Sequence, residues 1–332
     1  MVKEFVYRLG SLAGAPRGWQ RLLYPDSAAV LTYHAVARED LEVPDWCFLE
    51  ERRFRAQMRY LRDHCRVVPL RDVPSVLAAG SERPVVALTF DDGFRNNYRV
   101  AFPILRELGL PATIFLATDF VDSDDTIWFC RINDALSRTK LQSLEWEGDH
   151  YDLSSPRARA DANSLLQGRM KRHPHPQLLG RMRTLVSLLG ERPRKEIAPE
   201  SEYRMLAAQE IREMAGSGLI DFGGHTCSHA ILSGLSAAER ATEIAGSLAA
   251  VERLSGAPCR LFAYPNGRPI DYGPSDVAAL EAGGITVAVT MVKGPNGRTA
   301  APLELRRYGI GGETTLAEFQ LLVHHLLWKL RI

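Results

Sequence analysis

The chain of 332 residues is 45% hydrophobic and 24% charged, and its formal net charge at pH 7 is +1. This length allows one large α/β domain or two ordinary ones, with enough apolar residues for a substantial core. The balanced charge excludes the basic excess that covers nucleic-acid phosphates, so no nucleic-acid partner is expected. No apolar run reaches the length of a membrane span.

The N-terminal segment lacks the continuous apolar stretch of a secretory signal peptide. Residues 2–12 and the closing segment 313–332 both mix basic with apolar residues, as amphipathic helices do. Such helices either pack on a domain or rest on a membrane surface. We expect a cytoplasmic protein, with peripheral contact at the inner face of the membrane as an open alternative. Five cysteines without a CxxC spacing indicate reduced thiols: Cys47, Cys65, Cys130, Cys227 and Cys259.

Short apolar runs alternate with helical patterns along most of the chain. The runs predict strands at residues 28–36, 85–90, 112–118, 219–225, 260–265, 285–292 and 305–310. Helical periodicity predicts helices at residues 54–64, 97–109, 207–218, 236–256 and 275–284. This alternation is typical of a mostly parallel sheet covered by helices, either open or closed into a barrel.

Residues 124–200 interrupt the alternation, because they contain little strand signal and a basic, helical pattern at 154–195. We interpret this segment as an insertion on a loop of the α/β fold. It serves either as a lid or docking surface, or as a passive helical decoration.

Asp91 and Asp92 lie side by side in LTFDDG, where an apolar strand ends in a glycine. Adjacent carboxylates repel, and burying them is costly unless a positive charge is nearby. Neighbouring side chains at a strand end point to opposite sides, so Asp92 could bind a cation while Asp91 acts as a general base. Capping the following helix would need only one acid.

His225 and His229 stand four residues apart in GGHTCSH. In a helical turn this spacing places both imidazoles on one face, where they could bind one transition metal. Chance produces the same spacing on many exposed helices. The preceding glycines suggest a backbone that turns tightly at a strand end, which is where α/β barrels carry their functional residues.

Together, TFDDG at 89–93 and HTCSH at 225–229 resemble the motifs of the polysaccharide deacetylase family, carbohydrate esterase family four with its NodB-homology domain. The resemblance implies an α/β fold, a deformed (β/α)7 barrel with a helical insertion. It implies hydrolysis of an N-acetyl group from an amino sugar by attack of a metal-bound water. The implied metal ligands are Asp92, His225 and His229, and the implied catalytic base is Asp91.

The resemblance also divides the chain into parts. These are an N-terminal helical segment (1–27), a first barrel part (28–123), the helical insertion (124–200), a second barrel part (201–312) and a C-terminal amphipathic helix (313–332).

The family's third motif contains an arginine that orients the base, and this chain has Ala263 there, in FAYPNG. Arg306 or Arg307 could fill the gap by forming a salt bridge with Asp91. The Asn266 backbone N–H could still bind an oxyanion, because that role needs no particular side chain. The groups expected around the oxyanion and substrate are Asn266, Tyr264 and Arg307. Two other acids near the expected mouth, Asp271 and Asp276, are ascribed to turn and helix-cap chemistry.

The family's leaving-group acid usually lies in a C-terminal Leu-x-His, where this chain offers only His324 and His325 in a helical pattern. LTYHAV instead resembles the N-terminal Tyr-His motif of the exopolysaccharide deacetylase branch, which makes His34 the expected acid. The alternative is a core histidine bonded to a neighbour. A protonated His34 beside an ionised Asp91 would give a rate that rises and falls across neutral pH.

Two nitrogen ligands and one carboxylate suit Zn²⁺ best, and Fe²⁺, Co²⁺, Ni²⁺ or Mn²⁺ also fit such a site. The expected substrate is an N-acetylated amino sugar in a glycan, a glycoside, or a lipid- or nucleotide-linked intermediate. Two alternatives stay open. One is hydrolysis of a non-sugar amide, such as a formamide or cyclic ureide, and the other is an inactive metal-binding module that recognises glycans.

Overall fold

The structure is a computed structural model that describes residues 18, 20, 22–190 and 197–327. Twelve strands and ten α-helices form within these ranges. The strands are β1 (Ala28–Tyr33), β2 (Ala35–Ala37), β3 (Phe48–Glu50), β4 (Arg66–Val67), β5 (Val85–Phe90), β6 (Ala112–Leu116), β7 (Ser143–Trp146), β8 (Asp149–Asp152), β9 (Ile220–Gly224), β10 (Leu261–Ala263), β11 (Val287–Val289) and β12 (Tyr308–Gly309). The helices are α1 (Glu51–His64), α2 (Val73–Ala79), α3 (Phe102–Leu108), α4 (Trp128–Arg138), α5 (Pro156–Met170), α6 (His175–Leu188), α7 (Ala208–Gly216), α8 (Ala237–Ser255), α9 (Pro274–Ala282) and α10 (Leu316–Val323).

The principal sheet is parallel and runs in the order β11-β10-β9-β6-β5-β1-β12, with the two-residue β4 added on β5. Its two edges meet just before β12, where the Leu305 N–H donates to the Ala288 carbonyl and the Leu305 carbonyl accepts from Thr290. The seven main strands therefore close on themselves. This confirms the predicted deformed (β/α)7 barrel, which is irregular because β10, β11 and β12 are only two or three residues long.

Every residue of β1 and β5 is buried. Strands of a parallel sheet are covered on both faces, so they are continuous apolar runs rather than alternating ones. For this reason the apolar run at 85–90 predicted β5 at its observed bounds.

The insertion contains the expected helices, α4, α5 and α6, but the expectation of little strand in it was wrong. Strands β7 and β8 pair as an antiparallel hairpin. They are joined by Glu147 and Gly148, whose φ angles of 55° and 84° suit a two-residue turn. Leu144, Trp146 and Tyr151 are buried. A short alternation of apolar and polar residues was therefore the sequence signal for these two strands.

The described part of the C-terminal segment packs on the barrel. Helix α10 ends at Val323, and Phe319 and Val323 belong to the main hydrophobic core. His324 and His325 follow the helix, and both are buried against other residues of this region: the His324 ring bonds Tyr60 and the His325 ring bonds Tyr308. The predicted N-terminal helix at 2–12 lies outside the described residues. Among the described helices, none has the length and apolar character needed to span a membrane.

Candidate metal centre

One ligand atom from each of Asp92, His225 and His229 lies within 4.8 Å of the other two. Asp92 comes shortly after β5 and both histidines follow β9, so the carboxyl ends of two barrel strands supply the group. Oδ1 of Asp92 is 3.3 Å from Nε2 of His229 and 3.6 Å from Nε2 of His225. The structure thus brings together the three residues that the resemblance implied as ligands.

The chemistry of these three side chains fits a divalent cation. Both carboxylate oxygens of Asp92 are buried and have no hydrogen-bond partner in the described part of the chain. Nδ1 of His225 is 2.7 Å from the carbonyl oxygen of Ala263. Because a carbonyl only accepts, Nδ1 carries the proton and Nε2 presents its lone pair towards Asp92. The lone pairs of the Asp92 carboxylate and of the histidine nitrogens point towards one another, and a bound cation would stabilise that arrangement.

Burial opposes charge on all three side chains. It raises the pKa of Asp92 well above its usual range, and repulsion from Asp91 adds to the effect. Burial also lowers the pKa of His225 and lowers that of His229 strongly. Neutral imidazoles are the form that binds metal, whereas Asp92 must lose its proton, so metal binding and ionisation of Asp92 are coupled.

The loop that carries the two histidines is not helical, so the helical placement of the pair was wrong. The two rings nevertheless lie 4.9 Å apart between centroids. The loop uses left-handed backbone instead. Four of the eight described non-glycine residues with positive φ belong to the site: Asp92 (77°), Thr226 (60°), His229 (59°) and Asn266 (59°). Such conformations cost roughly 1–3 kcal/mol each and cluster at functional sites.

Gly223 in β9 is required for close packing rather than for the tight turn that the sequence suggested. A Cβ atom at this position would lie 2.6 Å from the Phe115 ring and 2.7 Å from the Leu261 carbonyl oxygen. Glycine therefore lets β9 fit between its two neighbouring strands, and this places His225 at the strand end.

Arg307 binds both oxygens of Asp91, with two N···O distances of 2.7 Å. The arginine is completely buried, and it also donates to the carbonyl of Thr290 and the hydroxyl of Thr32. The predicted salt bridge that replaces the third-motif arginine is confirmed for Arg307, whereas Arg306 is exposed. The expectation that Arg307 contacts substrate was wrong, because its guanidinium is enclosed by protein.

The ion pair explains how two adjacent carboxylates are tolerated. Burial alone would raise the pKa of Asp91, but attraction to Arg307 outweighs it and holds the pKa well below its usual range. Asp91 is therefore ionised at neutral pH, whereas Asp92 ionises when a cation binds.

His34 lies between β1 and β2, and its Nδ1 is buried with no partner in the described part of the chain. Its ring packs edge-on against Trp46, with 4.7 Å between centroids. Burial lowers the pKa of His34 to about 4, although Asp91 opposes this shift. Burial therefore favours the neutral imidazole at pH 7, against the expected resting imidazolium.

Tyr264 does not face the site. Its hydroxyl donates to the Leu303 carbonyl at 3.1 Å, and its ring stacks on Tyr272 at 4.0 Å. Its backbone N–H donates to the Val289 carbonyl. The prediction of Tyr264 as an oxyanion or substrate group was wrong, because the sheet and the core use both of its donors.

Asn266 links the barrel to the insertion through Lys171, a residue that the sequence analysis missed. Nζ of Lys171 donates to Oδ1 of Asn266 at 3.1 Å, and Nδ2 of Asn266 donates to Asp271 at 2.6 Å. Lys171 and the metal-site residue His229 line the same cavity. The basic pattern of the insertion was the sequence signal, but it did not indicate which cation would reach the site.

Glu243 on α8 holds the histidine loop and was also missed, because it lies in an ordinary helical pattern. Its Oε2 accepts from the backbone N–H groups of Cys227 at 2.7 Å and Ser228 at 3.0 Å. Its Oε1 accepts from the Ser228 hydroxyl at 2.6 Å. One carboxylate thereby fixes the two residues that precede His229.

We expect Glu243→Ala to weaken Zn²⁺ binding by about 10- to 100-fold, the usual effect of removing a residue that orients metal ligands. Glu243→Gln keeps an acceptor for the two amides and should lose less. Competition with a chromophoric chelator measures the affinity, and circular dichroism checks the fold. Equal affinity in wild type and the alanine variant would contradict this role.

A family model described as polysaccharide deacetylase matches residues 78–288, more than half of the chain. The chain belongs to the polysaccharide deacetylase family. The matched range contains Asp91, Asp92, His225 and His229, and it confirms the family inferred from the two motifs. His34 and Arg307 lie outside it.

A stretch of 102 residues is 30% identical to YxkH of Bacillus subtilis (strain 168), whose name assigns it to the polysaccharide deacetylases. The match covers 30% of this chain and 34% of that protein, so it spans about a third of the relative's length.

Solved structures with the same fold include BC0361, a polysaccharide deacetylase from Bacillus cereus. Its TM-score is 0.58 at 20% identity, over 90% of this chain and 70% of that one. The Streptococcus pyogenes deacetylase PplD, solved with acetate, has a TM-score of 0.59 at 17% identity, over 91% and 99% of the two chains. IcaB from Ammonifex degensii has a TM-score of 0.55 at 19% identity, over 91% and 97%. At these identities the likeness shows the shared fold.

Proposed function

We propose that this protein is a metal-dependent deacetylase that removes an N-acetyl group from an amino sugar. The sugar would belong to a glycan, a glycoside, or a lipid- or nucleotide-linked intermediate. The observation that carries the proposal is the Asp92–His225–His229 group beside an ionised Asp91. Zn²⁺ suits these ligands best, with Fe²⁺, Co²⁺, Ni²⁺ or Mn²⁺ as alternatives. Such a cation would polarise the acetamide carbonyl and supply hydroxide near neutral pH.

Asp91 is the proposed general base. It is ionised, and Arg307 fixes its orientation through both oxygens, so it can accept a proton from the attacking water.

His34 is the proposed recipient of that proton and its donor to the departing amine. It is neutral at rest, since burial lowers its pKa to about 4. It must therefore gain its proton during each turnover rather than from solvent beforehand. An amine leaves poorly without protonation, so the step needs such a donor.

The backbone N–H of Asn266 is the proposed oxyanion donor. Among the described residues it has no hydrogen-bond acceptor, while Lys171 and Asp271 hold the Asn266 side chain. A preorganised donor of this kind is typically worth about 3–4 kcal/mol in the transition state.

A sugar substrate is favoured by Trp46, whose side chain packs against His34 and is nonetheless 49% exposed. Trp46 also lines a cavity of about 770 Å³. Sugar rings present C–H faces that pack on exposed aromatic rings, whereas a small formamide or cyclic ureide needs no such surface. An inactive glycan-binding module would need the metal ligands but not the Asp91–Arg307 pair, and this favours an enzyme.

The proposal predicts acetate release from N-acetylhexosamine glycosides by Zn²⁺-reconstituted protein, and loss of release after chelation. Trp46→Ala should raise KM for a glycoside more than it lowers kcat, because the indole binds the sugar and not the reacting atoms. Turnover of a cyclic ureide without any acetate release would overturn the sugar proposal. Glycan binding without turnover by metal-loaded protein would indicate the binding module instead.

A further inference from the structure

We propose that the sugar substrate carries an anionic group, a phosphate or a carboxylate, close to the acetamido group, and that the helical insertion binds it. This inference rests on the proposed function, because it names the substrate class of the same site. It starts from a cavity of about 260 Å³ between the insertion and the loops that follow β9 and β10.

The cavity adjoins the metal group. His229 forms part of its wall, and so does Asn266, whose backbone N–H is the proposed oxyanion donor. A substituent in this cavity would therefore lie beside the acetamide that is cleaved. The opposite wall belongs to the insertion, through Lys171, Arg172 and neighbouring residues. This gives the insertion a direct part in substrate binding.

The wall of the cavity carries excess positive charge. Lys171, Arg172 and Arg268 line it against a single carboxylate, Asp271. Arg268 binds Asp271 through Nε at 3.0 Å and Nη2 at 3.1 Å, so these two largely neutralise each other. Lys171 and Arg172 have no ion-pair partner in the described part of the chain.

Lys171 is the more informative of these two cations because it is partly buried, whereas Arg172 is exposed. Its ammonium donates to a neutral amide oxygen of Asn266. Burial and the charge of Arg268 lower the pKa of Lys171, and the carboxylates of Asp271 and Asp92 oppose this only in part. A charge taken out of water is costly unless an opposite charge accompanies it. An anionic substituent in the cavity would supply that charge.

The positive character is local rather than a property of the whole site. The larger cavity beside Trp46 contains more carboxylates than arginines: Asp40, Asp45, Asp161, Glu313 and Glu318 against Arg53 and Arg157. The whole chain has a net charge of only +1. Concentration of cations in the cavity beside His229 therefore indicates recognition of an anion there.

Three substrates test the inference on Zn²⁺-reconstituted full-length protein. They are N-acetylglucosamine 1-phosphate, a disaccharide of glucuronate and N-acetylglucosamine, and the neutral methyl N-acetylglucosaminide. We expect kcat/KM for acetate release to be at least about 10-fold higher for one anionic substrate than for the neutral one, since hydrogen bonds to charged groups are stronger than those between neutral groups. The anionic substrate with the higher kcat/KM shows whether the cavity binds a phosphate or a carboxylate.

Lys171→Gln and Arg172→Gln should each lower the anionic-to-neutral ratio of kcat/KM by about 10-fold. Gln at 171 retains a donor for Asn266, and Arg172 is exposed, so both variants should fold, which thermal unfolding would verify. Arg183→Gln is the matched control, because Arg183 is an exposed cation of α6 that does not line the cavity. It should leave the ratio unchanged.

Equal kcat/KM for all three substrates, with ratios unchanged in the Lys171 and Arg172 variants, would overturn the anion site and leave the deacetylase intact. Absence of acetate release from every substrate would instead remove the proposed function on which the inference rests.

Discussion

Asp91→Asn is expected to lower turnover by about 10²- to 10⁴-fold, the range typical of a lost general base. An amide cannot accept the proton of the attacking water. The metal content should stay that of the wild type, because Asp91 is not one of the three grouped ligands. Acetate release and metal analysis on the same preparation measure the two effects.

Two further variants separate chemistry from stability in this test. Asp91→Asn leaves the Arg307 guanidinium buried without its anion, so the single variant is also destabilised. Adding Arg307→Met removes both charges, and the double variant should regain stability while it stays inactive. Asp92→Asn should lose metal and activity together. Full turnover in Asp91→Asn, or loss of its metal, would contradict the assigned base.

Arg307→Met is expected to cost about 3–5 kcal/mol in the free energy of unfolding at pH 7, the usual result of breaking a buried ion pair on one side. The remaining carboxylate of Asp91 would be buried beside Asp92 with no counter-charge. Its pKa should rise, so the variant should also lose activity at neutral pH. Urea unfolding at several pH values measures the stability, and Arg306→Met, at an exposed neighbour, is the matched control.

The pH dependence of this loss has a definite sign. In the wild type the pKa of Asp91 lies below its unfolded value, so the stabilisation is present above about pH 4 and is lost as the pH falls through the folded pKa. In the variant the folded pKa lies above the unfolded value, and stability falls as the pH rises through that window. The difference between the two proteins should therefore shrink on acidification. A difference that is independent of pH would contradict the ion-pair account.

The sequence predicted the barrel and the metal group because both depend on local patterns. Strands covered on both faces are apolar runs, and TFDDG and HTCSH are compact motifs at strand ends. The sequence indicated the arginine that replaces the third-motif residue only as one of two neighbours. Side chains alternate along a strand, so one of Arg306 and Arg307 must face the barrel interior. The way in which the sheet closes at Leu305 sets which of the two faces inward, and the buried residue is Arg307.

The residues that were missed or misassigned depend on contacts between distant segments. Lys171 reaches the site because α5 ends beside the loop after β10, and no local pattern distinguishes it from the other cations of the insertion. Glu243 matters only because α8 packs beside the histidine loop. Tyr264 is one residue past the end of β10 and still points into the core. The neutral state of His34 follows from its burial, which the motif does not reveal.

Crystals of the Zn²⁺-reconstituted protein, measured on both sides of the zinc absorption edge, test the central claim most directly. The account predicts one anomalous peak about 2.0–2.2 Å from an Asp92 oxygen and from Nε2 of His225 and His229. An anomalous map with no peak among these three side chains, in a protein that is folded and fully supplied with zinc, would contradict it.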